Sequence, residues 1–297
     1  MTDSPSKPTD PQPGSEPEPL PDPDPEPRVD QIDIAGDIAH RDRVYDYVRG
    51  GSDNFAVDRN TAEFAAAPSA GGLDHARAAV RANEAFHVRA VTYLVQDAGV
   101  RQFLEIGARI PSEDNTHEIA QRVAPECRTV YANNDPVVLA HSHTLRRSTP
   151  EGSADYVDAD PTDPETILQK AQATLDLREP VGILLSAILY HVRDDDDPWG
   201  IVSRFVTAVP SGSHLVVSHL TSDIIAEQIT EAARRVNQQP GFTLTLRTHA
   251  QISRFFDGLD LVPPGLVPVD RWHARGTARP EPELWPIPFY GAVGRKP

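Results

Sequence analysis

Val181-Gly-Ile-Leu-Leu-Ser-Ala-Ile188 is a run in which only Ser186 is polar. A strand with one wet face alternates apolar and polar residues, whereas a strand covered on both faces reads as a continuous apolar run. The segment therefore predicts a central strand of a parallel sheet. Upstream, Val100–Ile106, Arg128–Ala132 and Ala154–Val157 read as further strands. Helical patterns over Asn115–Val123, over Pro136–Arg146 and from Asp163 follow them in turn. Downstream come a helix over Ile201–Ala208, a strand at His214–Ser218, helices over Ile224–Asn237 and His249–Phe256, and extended segments at Leu259–Val262 and Phe289–Val293. Such alternation predicts an α/β fold, a Rossmann-like and mostly parallel sheet with right-handed crossovers and helices on both faces.

Before this unit lies a different pattern. Arg41–Val48 is a short segment stopped by Gly50-Gly51, and a long helical stretch covers Asp74–Ala98 with Val80, Phe86, Val91 and Leu94 among its apolar positions. Residues 31–98 are thus expected to form a helical N-terminal cap on a domain of residues 99–297. Residues 1–30 hold ten Pro and eight Asp or Glu against two Lys or Arg. Alternating prolines remove amide donors while the carboxylates repel, so a disordered, solubilising acidic tail is expected there.

The chain has 297 residues and a formal net charge of -16. That charge argues against nucleic acid as a ligand, because affinity for it comes mostly from Lys and Arg neutralising phosphates. No apolar window of about 20 residues is present, so no membrane span is expected. The N-terminus lacks a basic region followed by an apolar run, and the one cysteine, Cys127, has no partner for a disulfide. A cytoplasmic protein is the expectation.

In an open parallel sheet, ligands bind beyond the carboxyl ends of the strands. That rule selects Glu105-Ile-Gly107-Ala108-Arg109, Asn133-Asn134-Asp135, Asp158-Ala159-Asp160 and Ser186 to His191. Acids and amides predominate, which suits hydroxyls and amines better than phosphates. Neither Gly-x-Gly-x-x-Gly nor Gly-x-x-x-x-Gly-Lys occurs, and there is no Tyr-x-x-x-Lys pair, so a nicotinamide-dependent oxidoreductase is disfavoured.

This ordered set resembles a class I S-adenosylmethionine-dependent methyltransferase. More narrowly, several segments resemble one bacterial family, long filed as a domain of unknown function and labelled S-adenosylmethionine methyltransferase. They are Arg43-Val-Tyr45-Asp46, Gly50 to Asp58, Arg81-Ala-Asn83, Asn134 to Ala140, Asp158-Ala159-Asp160, Phe255 to Leu259 and Pro264 to Pro268. The resemblance runs from about His40 to Trp272 and implies a seven-stranded sheet. It implies that the backbone at Gly107 and Ala108 approaches the methionine part of S-adenosylmethionine, with Glu105 behind the loop. The end of the second strand, Asn133-Asn134-Asp135, would take the ribose, and Asp158, Ala159 and Asp160 would frame the adenine. Ser186 through Tyr190 and His191 would line the side of a small-molecule methyl acceptor, with His191 as a general base. The loop with Asp53, Asn54 and Phe55, together with Tyr45, Arg81 and Asn83, would form a lid.

The resemblance breaks at two positions. The second glycine of the family's Asp-Ile-Gly-x-Gly turn is Arg109, and the ribose-binding Asp is Asn133. Arg109 is either a substituted ligand contact or a solvent-facing loop residue. Tyr45 and Phe55 either stack on a ligand or pack the cap. Asp194 to Asp197 precede Pro198 and read as a solvated helix entry rather than a metal cluster, and no metal site is expected. His141, His143, His214 and His219 read as structural, and Cys127 as an inert thiol. Two functions follow: a methyltransferase acting on an unidentified small molecule, or a degenerate methyltransferase fold kept as a binding or regulatory module.

Overall fold

A computed structural model describes residues 36–111, 114–141, 148–273 and 283–297. The acidic tail, His143 and the second half of the Pro136–Arg146 helix lie outside them. Three helices come first: α1 (Arg41–Arg49), α2 (Ala56–Ala66) and α3 (Gly72–Gln96). The alternation then runs β1 (Gln102–Ile106), α4 (Thr116–Val123), β2 (Arg128–Asn133), α5 (Pro136–Ala140), β3 (Ser153–Asp158), α6 (Pro164–Ala171), β4 (Val181–Ser186), α7 (Pro198–Thr207) and β5 (His214–Leu220). It ends with α8 (Ala226–Val236), α9 (His249–Ser253), the two-residue strands β6 (Asp260–Leu261) and β7 (Val267–Pro268), and β8 (Phe289–Arg295). Among the described residues, the one α-helix that the sequence reading did not single out is α2. It follows the polar Gly50–Asp58 loop and carries few large apolar residues to mark its period.

The main path of the sheet is β3-β2-β1-β4-β5-β8-β6, with β7 paired to β8 beside it. β1 to β5 are parallel and β8 runs antiparallel against β5, β6 and β7. This is the seven-stranded class I methyltransferase arrangement, and β4 lies near its middle with every residue buried.

Two cores cover the two faces, and alternate residues of one strand enter different cores. Leu184, Val216 and Val293 join Phe86, Val91 and Leu94 of α3. Ile183, Leu185, Leu215 and Val217 instead meet Ile167 of α6 and Val202 and Phe205 of α7. The long helix α3 crosses β8 closely: a Cβ at Gly291 would stand 2.9 Å from the Phe86 ring. The N-terminal helices thus belong to the same packing as the sheet.

Arg247 lies on the chain between α8 and α9 and is fully buried. It donates to the carbonyls of Leu189 and Val192, to His219 Nε2 at 2.8 Å and to Asp194 Oδ1 at 2.7 Å. Its guanidinium also lies over the rings of Trp199 and Phe255. It therefore fastens the segment that follows β4. Asp194 is exposed, as a solvated helix entry would be, and is also a partner of this clamp. Asp195 and Asp196 are exposed, and Asp197 caps α7 through the Gly200 amide. Among the described residues no helix is long and apolar enough to cross a membrane.

Removing the guanidinium would leave the carbonyls of Leu189 and Val192 and the Nε2 of His219 without their donor. Arg247→Met is expected to lower unfolding stability by about 1–3 kcal/mol, read from urea midpoints at constant slope.

Candidate functional site

The carboxyl ends of β1, β2, β3 and β4 meet beneath α1 and the N-terminal half of α3. Glu105, the penultimate residue of β1, is buried, and its Oε2 accepts from Thr116 Oγ1 at 2.6 Å. Since that hydroxyl donates to Glu105, it accepts from His87 Nε2 at 2.8 Å, which makes Nδ1 the acceptor for Ser186 Oγ at 3.0 Å. Burial pulls the His87 imidazole below its ordinary pKa, in keeping with a neutral ring. One directed chain of hydrogen bonds thus locks the ends of β1 and β4 to α3 and α4.

Gly107 has φ +72°, a left-handed conformation that a side chain strains. A Cβ there would also lie 2.4 Å from Ile188. The fold itself therefore requires a glycine here, since Ile188 occupies the space that a Cβ would take. The amides of Gly107 and Ala108 both donate to the Ala132 carbonyl, at 2.8 and 3.2 Å.

At the end of β2, Asn133 is fully buried. Its Nδ2 donates to Asp42 Oδ2 at 2.8 Å and also to the Ala108 carbonyl, while Oδ1 accepts from the amides of Asn134 and Asp135. All its polar capacity is engaged within the protein, by Asp42 and by backbone groups. What lies beyond it is the carboxylate of Asp42, from the first turn of α1. Asp42 in turn lines an open cavity. Asn134 holds Arg41 at 3.4 Å and Asp160 at 3.3 Å. Asp158 and Asp160 are exposed, and Ala159 is buried, its amide bonded to the Asn133 carbonyl.

Asp135 caps α5 and pairs with His40 Nδ1. Burial opposes its ionisation, but His40 and the amides of Val137 and Val138 win and hold the carboxyl below the usual range. His40, Asp42 and Asp135 present donor atoms within 4.8 Å of one another, as a metal site would. The capping bonds, the His40 pair and Asn133 already engage these atoms, so they need no ion. Close by, the Tyr156 hydroxyl is buried with no hydrogen-bond partner among the described residues, in the field of Asp42, Asp158 and Asp135.

The Gly50–Asp58 loop is held from below. Asp46 Oδ2 accepts from the Asp53 amide and from Asn54 Nδ2, each at 2.9 Å, and its Oδ1 accepts from Arg49. Asp58 accepts from the amides of His40 and Phe55. These buried carboxylates give Asn54 and the loop backbone structural partners. Phe55 is partly exposed beneath Arg43, and Arg81 points to solvent, apart from the other site residues. Asn83 is buried and donates to the Tyr45 hydroxyl at 3.3 Å.

The cavity, of about 190 Å³, lies between α1, α2, α3 and α8 on one side and Ala187, Tyr190 and His191 on the other. Arg109 lines it with its guanidinium 4.4 Å from the centre of the Tyr45 ring, which sets aside the reading of Arg109 as a solvent-facing loop residue. His191 donates from Nδ1 to the Thr243 carbonyl at 2.8 Å. Burial, with Arg41 nearby, pulls its pKa down to about 3. Burial likewise pushes the Tyr190 phenol well above its usual value. Sequence reasoning missed His40, Asp42, His87 and Thr116 at this site, since each acts through a partner remote in sequence. Only the position of His40 and Asp42 just ahead of the Arg43-Val-Tyr45-Asp46 motif hinted at two of them.

A family model described as S-adenosyl methyltransferase matches residues 26–297. Among solved structures, a DUF574-family protein from Streptomyces avermitilis MA-4680 is 42% identical, over 91% of this chain and 100% of that one, with a TM-score of 0.82. A protein from Thermobifida fusca YX is 32% identical, over 87% of this chain and 95% of that one, with a TM-score of 0.77. No curated protein matches the chain.

Two measurements check this geometry. Asn133→Asp would set a second carboxylate against Asp42 and leave the Ala108 carbonyl unpaired, at a cost of about 1–3 kcal/mol. Adding Asp42→Asn restores a donor between the two and is expected to recover part of that loss in a double-mutant cycle. The second concerns acid. His191 and His219 are held down to about 3 and His214 to about 4, each mainly by burial. Below about pH 6.5 the unfolded chain binds protons that the folded one refuses, so their contribution is complete above that pH and falls away toward pH 3. His219→Gln should flatten the slope of unfolding free energy against pH between 4 and 6 by up to about 1.4 kcal/mol per pH unit.

Proposed function

The chain belongs to the S-adenosyl methyltransferase family, and from that premise we propose that it methylates a small molecule held in the cavity between α1, α3, α8 and Tyr190. The observation that carries this reading is the position of the cavity. It opens at the carboxyl ends of the parallel strands, with Asp42 and Arg109 on its wall, and polar groups suited to a nucleoside lie beside it.

The donor set fits S-adenosylmethionine. Tyr156 offers a buried hydroxyl that lacks a partner among the described residues, and Asp42, Asn134, Asp158 and Asp160 offer acceptors for hydroxyls and an amino group. Asp42 takes the part that an Asp at position 133 plays in the family pattern, with Asn133 aiming it. When bound, S-adenosylmethionine supplies an electrophilic methyl group. The protein's share is to hold the acceptor in line and to exclude water. The Glu105–Thr116–His87–Ser186 chain fixes the strand ends for that purpose. His191 is too weak a base to keep a proton near neutrality. Its Nε2, left as the acceptor by the Nδ1 bond to Thr243, orients an O–H or N–H of the acceptor instead. The buried thiol of Cys127 suits the reducing environment of the cytoplasm.

A second reading, a binding module without cofactor, is favoured by Ile188 against Gly107 and by the inward turn of Asn133. Calorimetric titration of the full chain with S-adenosylmethionine and S-adenosylhomocysteine separates the two. Saturable binding of both is expected, weakened about tenfold or more by Asp42→Ala, the loss of one charge-assisted contact, and unchanged by Asp196→Ala. No heat for either ligand at millimolar concentration would favour the binding module.

A further inference from the structure

The cavity wall is apolar over most of its extent, with Val44, Ala62, Ala79, Val80, Ile229 and Phe289 among its residues. Its polar groups are few, and several are engaged within the protein. Arg41 pairs with Asp42 and Asn134, and His75 bonds Ser69 and the Pro286 carbonyl. Arg109 differs: its Nη1 is buried with no hydrogen-bond partner among the described residues. Its contact is the face of Tyr45, which leaves the edge of the guanidinium, where the N–H groups lie, unfilled.

No carboxylate among the described residues forms an ion pair with Arg109, and Glu84 and Glu105 act on it only from a distance. Glu105 is turned to Thr116 at 2.6 Å. Burial raises the Glu84 carboxyl toward its neutral form, and burial also keeps the Tyr45 phenol protonated. A half-buried cation whose Nη1 lies out of water in an apolar chamber gains from a partner. A planar carboxylate serves best, by two parallel N–H···O bonds. Size supports the same choice. A cavity of about 150 Å³ takes up benzene, so about 190 Å³ suits a body of one or two rings.

We infer that the acceptor pocket selects a small, mostly apolar monocarboxylic acid, with its carboxylate on Arg109 and its body against the faces of α1, α3 and α8. This rests on the cavity being the acceptor pocket, and it names the class of acceptor. Arg109 is then a residue that sets specificity, placed where the family's turn has a glycine.

The test compares acids with their neutral isosteres on the full chain: benzoate with benzamide and 2-naphthoate with 2-naphthamide, by calorimetry in the absence of cofactor. At least one acid is expected to bind about tenfold or more tightly than its amide, the range of one charge-assisted contact. Arg109→Gln should abolish that preference and Arg109→Lys should keep most of it, with both variants confirmed folded by their urea midpoints. Equal affinity of acid and amide, no binding of either acid at millimolar concentration, or a preference that survives in Arg109→Gln would each overturn the inference. So would a tenfold loss of S-adenosylhomocysteine affinity in Arg109→Gln with the acid preference intact, which would assign the guanidinium to the cofactor's carboxylate. Because the acid and amide titrations need no cofactor, failure of methyl transfer and failure of acid recognition are read separately.

Discussion

The hydrogen bond from Asn133 to Asp42 joins two parts of the chain that are 91 residues apart, and the site is organised around it. It lays the first turn of α1 across the carboxyl end of β2, and everything attached to that turn follows. His40 reaches Asp135 and Asp58, and Arg41 reaches Asn134. An amide is the residue that such a contact requires. Two carboxylates at 2.8 Å could not both stay ionised, whereas an amide donates to one and still accepts from the backbone amides of the next two residues. The departure at position 133 and the acid at position 42 are thus one feature rather than two.

A second constraint comes from α3. Its apolar side builds one of the two cores with Phe86, Val91 and Leu94, while His87, a single position from Phe86, turns into the chain that ends at Glu105. One helix therefore both covers the sheet and stiffens the ends of β1 and β4. Arg247 does the equivalent on the far side of β4, where it gathers Leu189, Val192 and Asp194. Between these two fasteners stand Ala187, Tyr190 and His191, the floor of the cavity. The floor is rigid because both of its edges are tied by buried hydrogen bonds.

Much of this was legible in the sequence, and what was not has a common cause. Val181–Ile188 announced a central strand because burial on both faces leaves a mark in every residue. The helix over Asp74–Ala98 announced itself by its period. Strand-end residues were found by a topological rule that needs only strand positions. The functions of Asn133 and Gly107 could not be found that way, because each depends on a side chain from elsewhere, Asp42 and Ile188. The polar loop at Gly50–Asp58 looked functional for the same reason: Asp46, which satisfies it, stands in the preceding helix. Arg247 carries no local signal, since a buried guanidinium is defined by the carbonyls it meets. Periodicity reports which face is dry, and it is silent on which polar groups pair across the fold.

The distribution of buried charge completes the argument. Among the described residues, the buried carboxylates are Asp42, Asp46, Asp58, Glu105 and Asp135. All of them lie in α1, in α2 or at the carboxyl ends of β1 and β2. Burying a carboxylate costs more than burying an apolar side chain of equal volume, so stability alone would not gather five of them at one end of the sheet. The opposite end shows how the same fold closes without them. There Gln102 bonds the backbone of Asp176 and His214 sits neutral near Tyr93, with ordinary apolar packing around both. Departures from the rules of stability concentrate where a protein does its chemistry. In this chain one of them, Asp42, stands on the wall of the cavity that Arg109 also lines, and the Nη1 of Arg109 has no hydrogen-bond partner there among the described residues.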